Sequence, residues 1–80
     1  MRVWLQHTWL TETTYYYFQL QDGRWFRFDM QFREWEEIKY RPRVSNKKRF
    51  QKITAATLER EWWKMFAENA PFKKEEIAPD

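Results

Sequence analysis

The chain has one glycine, Gly23, and no cysteine. Without cysteine there is no disulfide framework and no thiolate metal site. A single glycine excludes the glycine-rich loops whose backbone closes around phosphate. One histidine, His7, and one serine, Ser45, stand far apart in the sequence, so neither a histidine metal site nor a serine nucleophile with its base has the necessary neighbours. No apolar run approaches the ~20 residues needed to cross a bilayer. Gln6, His7 and Thr8 interrupt the apolar opening, which does not read as a signal peptide. The lack of cysteine is consistent with a cytoplasmic address. These absences, taken together, point away from an enzyme and from any metal or cofactor.

Acid is missing from one stretch in particular. Lys39 to Lys52 holds seven basic residues and no acidic one, while the rest of the chain has 8 basic and 12 acidic residues. The net charge of +3 therefore conceals a cationic band on a mildly acidic body. Such a band attracts the opposite charge over about a Debye length, ~8 Å at physiological salt. Phosphate backbones and acidic protein surfaces both qualify. The band comprises Lys39, Arg41, Arg43, Lys47, Lys48, Arg49 and Lys52. Its bland explanation is a charged edge that resists aggregation, a task for which lysine would suffice. The arginines add the bidentate fork that suits phosphate and carboxylate.

Aliphatic residues are scarce, and the apolar content is instead aromatic: 6 Trp, 7 Phe and 4 Tyr in 80 residues. A few buried rings hold a small core, and one such core cannot hide them all. Residues 2–10 read as a strand with Val3, Leu5, His7 and Trp9 on its apolar face, where His7 is expected as a core or boundary residue. Residues 14–20 and 24–32 read as a hairpin. A two-residue turn at Asp22-Gly23 would set Phe18 opposite Arg27 and mix the faces. A three-residue loop, Gln21 to Gly23, sets Phe18 opposite Phe26 and Tyr16 opposite Phe28, with Gly23 in the left-handed position. The second register is expected. It leaves Tyr15, Tyr17, Trp25 and Arg27 on the face away from the core, as an aromatic and cationic contact surface.

Arg33 to Glu37 reads as a turn or short 3₁₀ segment, its carboxylates solvated beside Arg33 and Lys39. Ile38 to Val44 reads as an edge strand, because Pro42 cannot donate to a ladder. Phe50 to Ile53 is a candidate fifth strand. Thr54 is an N-cap for a helix from Ala55 to about Asn69, with an apolar stripe of Leu58, Trp62, Met65 and Phe66. Trp63 falls at the margin of that stripe or in solvent.

The expected architecture is α+β: a small antiparallel sheet of three to five strands with one C-terminal helix packed on one face. Residues 1–71 form the single compact domain, and residues 72–80 a polar, poorly ordered tail. Two functions are expected from these residues. In the first, the chain is a non-enzymatic nucleic-acid-binding domain, with the band on phosphates and the aromatics stacking on bases. In the second, it is a small inhibitor or adaptor that occupies an acidic surface of a partner protein, similar in size and type to phage-encoded anti-CRISPR proteins. A homo-oligomer is compatible with both, and neither needs a membrane.

Overall fold

A computed structural model describes residues 1–80. The expected hairpin forms where sequence pattern is strongest. Strands β2 (Thr13–Gln19) and β3 (Trp25–Asp29) pair Phe18 with Phe26, Tyr16 with Phe28 and Tyr17 with Arg27. The Leu20 N–H donates to the Arg24 carbonyl at 2.9 Å, which closes the loop around Gly23 at φ 93°. A side chain with a Cβ is strained at that angle. The Asp22 carboxylate accepts from both the Arg24 backbone N–H and its guanidinium, at 3.0 and 2.8 Å.

Around this hairpin the sheet has five antiparallel strands in the order β4-β3-β2-β1-β5. β1 spans Val3–Thr8, β4 Glu34–Ile38 and β5 Gln51–Lys52. Two of these assignments correct the sequence reading. The segment Arg33 to Glu37 is not a turn, because its last four residues belong to β4, paired with β3. The turn lies earlier: the Asp29 carboxylate accepts from the N–H groups of Gln31 and Phe32, at 2.9 and 3.3 Å, and Arg33 takes a left-handed φ of 55°. Phe32 is thereby ejected to 66% exposure, while Trp35 sits opposite Phe28.

Nor is Ile38 to Val44 an edge strand. The edge strands are β4 and β5; Glu34, Glu36 and Glu37 blunt β4 against pairing with another chain, and the residues after Ile38 form a loop. That loop turns at Asn46, whose carbonyl accepts from Arg49 and Phe50 N–H groups and whose side chain accepts from Lys48 N–H at 3.1 Å. β5 then pairs with β1 at Trp4 and Leu5, as the Phe50 to Ile53 signal implied.

Thr54 caps the helix as expected, its hydroxyl accepting from Thr57 N–H at 3.2 Å. Helix α1 (Ala55–Glu61) continues as a π-helical turn from Trp62 to Phe66, closed by Ala67 N–H to the Trp62 carbonyl at 2.8 Å. The helical segment is shorter than its sequence pattern, and the chain reverses at Asn69 with φ 63°. Leu58, Trp62 and Phe66 are buried, and Trp63 is 76% exposed. The Phe66 ring lies 5.0 Å from Tyr16 and 5.2 Å from both Phe18 and Phe28.

Residues 72–80 are the third correction. Their polar composition masks two apolar anchors, Phe72 and Ile77, which are 7% and 3% exposed. Ile77 bridges Leu20, Arg2 N–H donates to the Ala78 carbonyl at 2.9 Å, and Ala78 N–H donates to Gln19 at 2.8 Å. Asp80 pairs with the terminal ammonium and with Lys52.

The sheet is buried on both sides. Val3, Phe18, Phe26 and Phe28 pack with Leu58, Trp62, Phe66, Phe72 and Ile77. Trp4, Tyr17, Trp25 and Ile38 form a second cluster, against which Val44 and Phe50 of the loop pack.

Removal of a ring from either cluster opens a cavity in a small domain. Phe18→Ala or Phe28→Ala is expected to lose about 3–5 kcal/mol in denaturant melts. Tyr17→Ala, mild if its face were open, is expected to fall in the same range; a loss under ~1 kcal/mol would mean that the loop does not cover it. A second test concerns the C-terminus. Lys52, and then the terminal ammonium, hold the exposed Asp80 carboxyl down at about 2. A carboxylate lowered on folding contributes stability above its unfolded value, about 4, and loses it as pH falls towards the folded value. Asp80→Asn should therefore lower the melting midpoint slightly at neutral pH. The deficit should shrink between about pH 4 and about pH 2. A constant deficit would point to damaged packing instead.

Candidate functional site

The loop between β4 and β5 carries most of the cationic band, and sequence dictates how it is held. Pro42 is buried, Val44 half-buried and Phe50 half-buried, so alternate parts of the loop are anchored on the Trp4, Tyr17, Trp25 and Ile38 cluster. The Tyr17 and Phe50 rings meet edge to face at 5.3 Å. With the apolar residues pointing down, the charged ones between them point out. Arg41, Arg43, Lys47, Lys48 and Arg49 are all exposed, and none of them makes an ion pair.

The band is not uniform, however. Lys39 pairs with Glu37 at 2.8 Å, and Lys52 pairs with Asp80. Elsewhere Arg27 meets Glu36 at 2.6 Å, Arg24 meets Asp22 at 2.8 Å and Lys74 meets Glu59 at 2.7 Å, while Arg2, Arg33, Lys64 and Lys73 make no ion pair. The five loop cations are distinguished by their clustering: all are unpaired, exposed and carried by one loop.

Two grooves flank the turn. One, of about 640 Å³, is lined by Lys47, Lys48, Arg49 and Lys52 together with His7 and Trp9. It follows the edge of β1 where β5, paired only at Trp4 and Leu5, no longer covers it. The other, of about 470 Å³, is lined by Arg41, Arg43 and Arg49 with Tyr40 and Asn46. Arg49 and Phe50 belong to both, and no carboxylate lines either. A concave surface lined by one sign of charge concentrates its field.

The aromatic contact surface expected at Tyr15, Tyr17, Trp25 and Arg27 is differently arranged. Tyr17 and Trp25 are 4% and 5% exposed and offer no free ring face. The Tyr17 hydroxyl donates to Gln6 Oε1 at 2.9 Å, and burial pushes its pKa up, so it remains protonated. Tyr15 and Arg27 are half-buried and engaged with each other, the guanidinium 4.5 Å above the tyrosine ring. Burial works against the Arg27 charge, but the Glu36 carboxylate and Tyr17 hydroxyl outweigh it and raise the pKa further. The basic stretch and the aromatic face do share one side of the sheet, with the loop lying over the rings.

Different aromatics are open. Trp9 is 82% exposed and Tyr40 55%, one in each groove. By alternation Trp9 and His7 both belong to the apolar face of the first strand. The cover on that face thins along β1, from Val3 at 0% exposure through half-buried Leu5 to exposed His7 and Trp9. His7 is consequently a surface residue, its Nδ1 2.7 Å from Thr14 Oγ1 and its ring 4.3 Å from Trp9. One signal in the sequence marked Trp9: Leu10 breaks the alternation beside it, and a polar turn follows.

No protein-family model, curated protein or solved structure matches this chain.

Proposed function

We propose that this chain is a non-enzymatic nucleic-acid-binding domain of the cytoplasm, in which Arg41, Arg43, Lys47, Lys48 and Arg49 neutralise phosphates. One observation carries the reading: five exposed cations without ion pairs border two grooves that no carboxylate lines. Repulsion among clustered like charges works against the fold and contributes nothing to it. A polyanion relieves that repulsion and gains the entropy of released counterions. The three arginines match phosphate oxygens with two parallel donors each, and the lysines act as point charges. Anchoring of the loop by Val44 and Phe50 reduces the ordering cost on binding.

The test is fluorescence anisotropy with labelled single- and double-stranded oligonucleotides across a salt series. Five phosphate contacts give a log–log salt slope of about −4.5 on duplex and about −3.5 on a single strand. Lys47, Lys48 and Arg49 replaced together by alanine should make the slope shallower by roughly 2 to 3 units, with sequence preference unchanged. All three are exposed, so the melting midpoint should hold. Absence of binding to either oligonucleotide at low salt would overturn the reading and leave an acidic protein surface as the counterpart of the same cations.

A further inference from the structure

The groove beside β1 has a feature that phosphate neutralisation does not use. Trp9 projects from the turn after β1, 82% exposed, into the space bordered by Lys47, Lys48, Arg49 and Lys52. An indole exposed to this degree adds almost nothing to the core. Its ring is nevertheless braced. His7 lies 4.3 Å from it and nearly perpendicular, at 83°. His7 is itself joined to Thr14 Oγ1 at 2.7 Å, across the β1–β2 pair in which His7 and Thr14 are opposite each other. Thr11 and Thr13 hydroxyls meet at 2.8 Å across the same turn. The platform is thus tied to the sheet, and a braced ring loses little freedom when a second ring settles on it.

Resting on the nucleic-acid reading above, we infer that the groove takes single-stranded nucleic acid, with an unpaired base stacked on Trp9 and its flanking phosphates on Lys47, Lys48 and Arg49. The chemistry selects the strand. In a duplex the base faces are stacked on one another, and an indole cannot reach them without unstacking. A single strand exposes both base faces, and stacking on an aromatic ring tolerates any base. The volume of about 640 Å³ lies in the range of sites that enclose small organic ligands, ~300–1,000 Å³. Lys52 occupies the far end of the groove, already paired with Asp80, and serves as its wall.

The inference is tested on Trp9 separately from the cations. Trp9→Ala and Trp9→Phe are compared with the parent chain on three ligands: oligo-dT, the same strand with every base removed, and a duplex. Trp9→Ala should weaken oligo-dT binding by roughly 5- to 150-fold, the range for loss of one stacked base. Its salt slope should be unaltered, because no cation is lost. Trp9→Phe, which keeps a ring face, should retain most of the affinity. On the abasic strand and the duplex, Trp9→Ala should bind as the parent does. An unchanged melting curve will show that the substitutions leave the fold intact. Equal affinity of Trp9→Ala and parent for oligo-dT would overturn the inference while the cationic reading stands. An equal loss on the abasic strand would also overturn it, since the indole would then be acting on the backbone. Binding of no ligand at low salt would overturn both readings together.

Discussion

Strands β2 and β3 send neighbouring aromatic residues to opposite sides of one sheet, and the rest of the molecule follows from having to cover both sides. Tyr17 and Phe18 are adjacent, as are Trp25 and Phe26, and all four are at most 5% exposed. A slip of one residue in their pairing would exchange every ring between the two clusters. The loop containing Gly23 holds the register at one end. Chain segments on either side must then supply a lid for each face. An antiparallel sheet with one solvated face is common, and this one is closed on both sides despite its small size.

The two lids differ in kind. One combines the helical segment with Phe72 and Ile77 from the C-terminal residues, and the rings there form a dense edge-to-face array around Phe66 and Trp35. Trp35 carries the one buried side-chain donor that has no partner, its indole Nε1. An orphan donor of that kind costs about 1–3 kcal/mol, which the packing of the large indole must offset. The second lid is only a loop, whose footing is Val44 and Phe50. Because its apolar residues are consumed by the sheet, its charged residues have nowhere to go but solvent. The cationic surface is thus a direct result of how the second aromatic face is covered.

Separation of paired from unpaired cations follows the same geometry. Lys39 and Lys52 stand at the two ends of the loop, beside β4 and the C-terminus, where Glu37 and Asp80 are within reach. Of the residues between them, Arg43, Lys47, Lys48 and Arg49 line only grooves without a carboxylate, while Arg41 also borders Glu37 of β4. A lining free of carboxylates, more than the number of positive residues, is what distinguishes the two grooves as an anion-attracting surface.

Much of this was legible in the linear chain, where local physics decides. Alternation at period two determined β2 and β3, and the demand for one buried face chose the three-residue loop at Gly23. Thr54 announced the helix start, and the spacing of Leu58, Trp62 and Phe66 announced its buried stripe. The charge band needed only counting. Other features depended on contacts between residues distant in sequence. β4 is not legible in the sequence because a strand with one indole among glutamates has no apolar period, and only pairing with β3 makes it a strand. The C-terminal segment looked like a tail because Phe72 and Ile77 are isolated among polar residues, and their burial depends on a space left between the helical segment and the sheet. Which of the two aromatic faces would be open was decided by a loop that folds back on it, and loop direction is not written in hydropathy. The break at Leu10 hinted at the exposure of Trp9, but tertiary structure decided between Trp9 and Tyr17: cover runs out along β1, and a residue is exposed where nothing remains to pack against it.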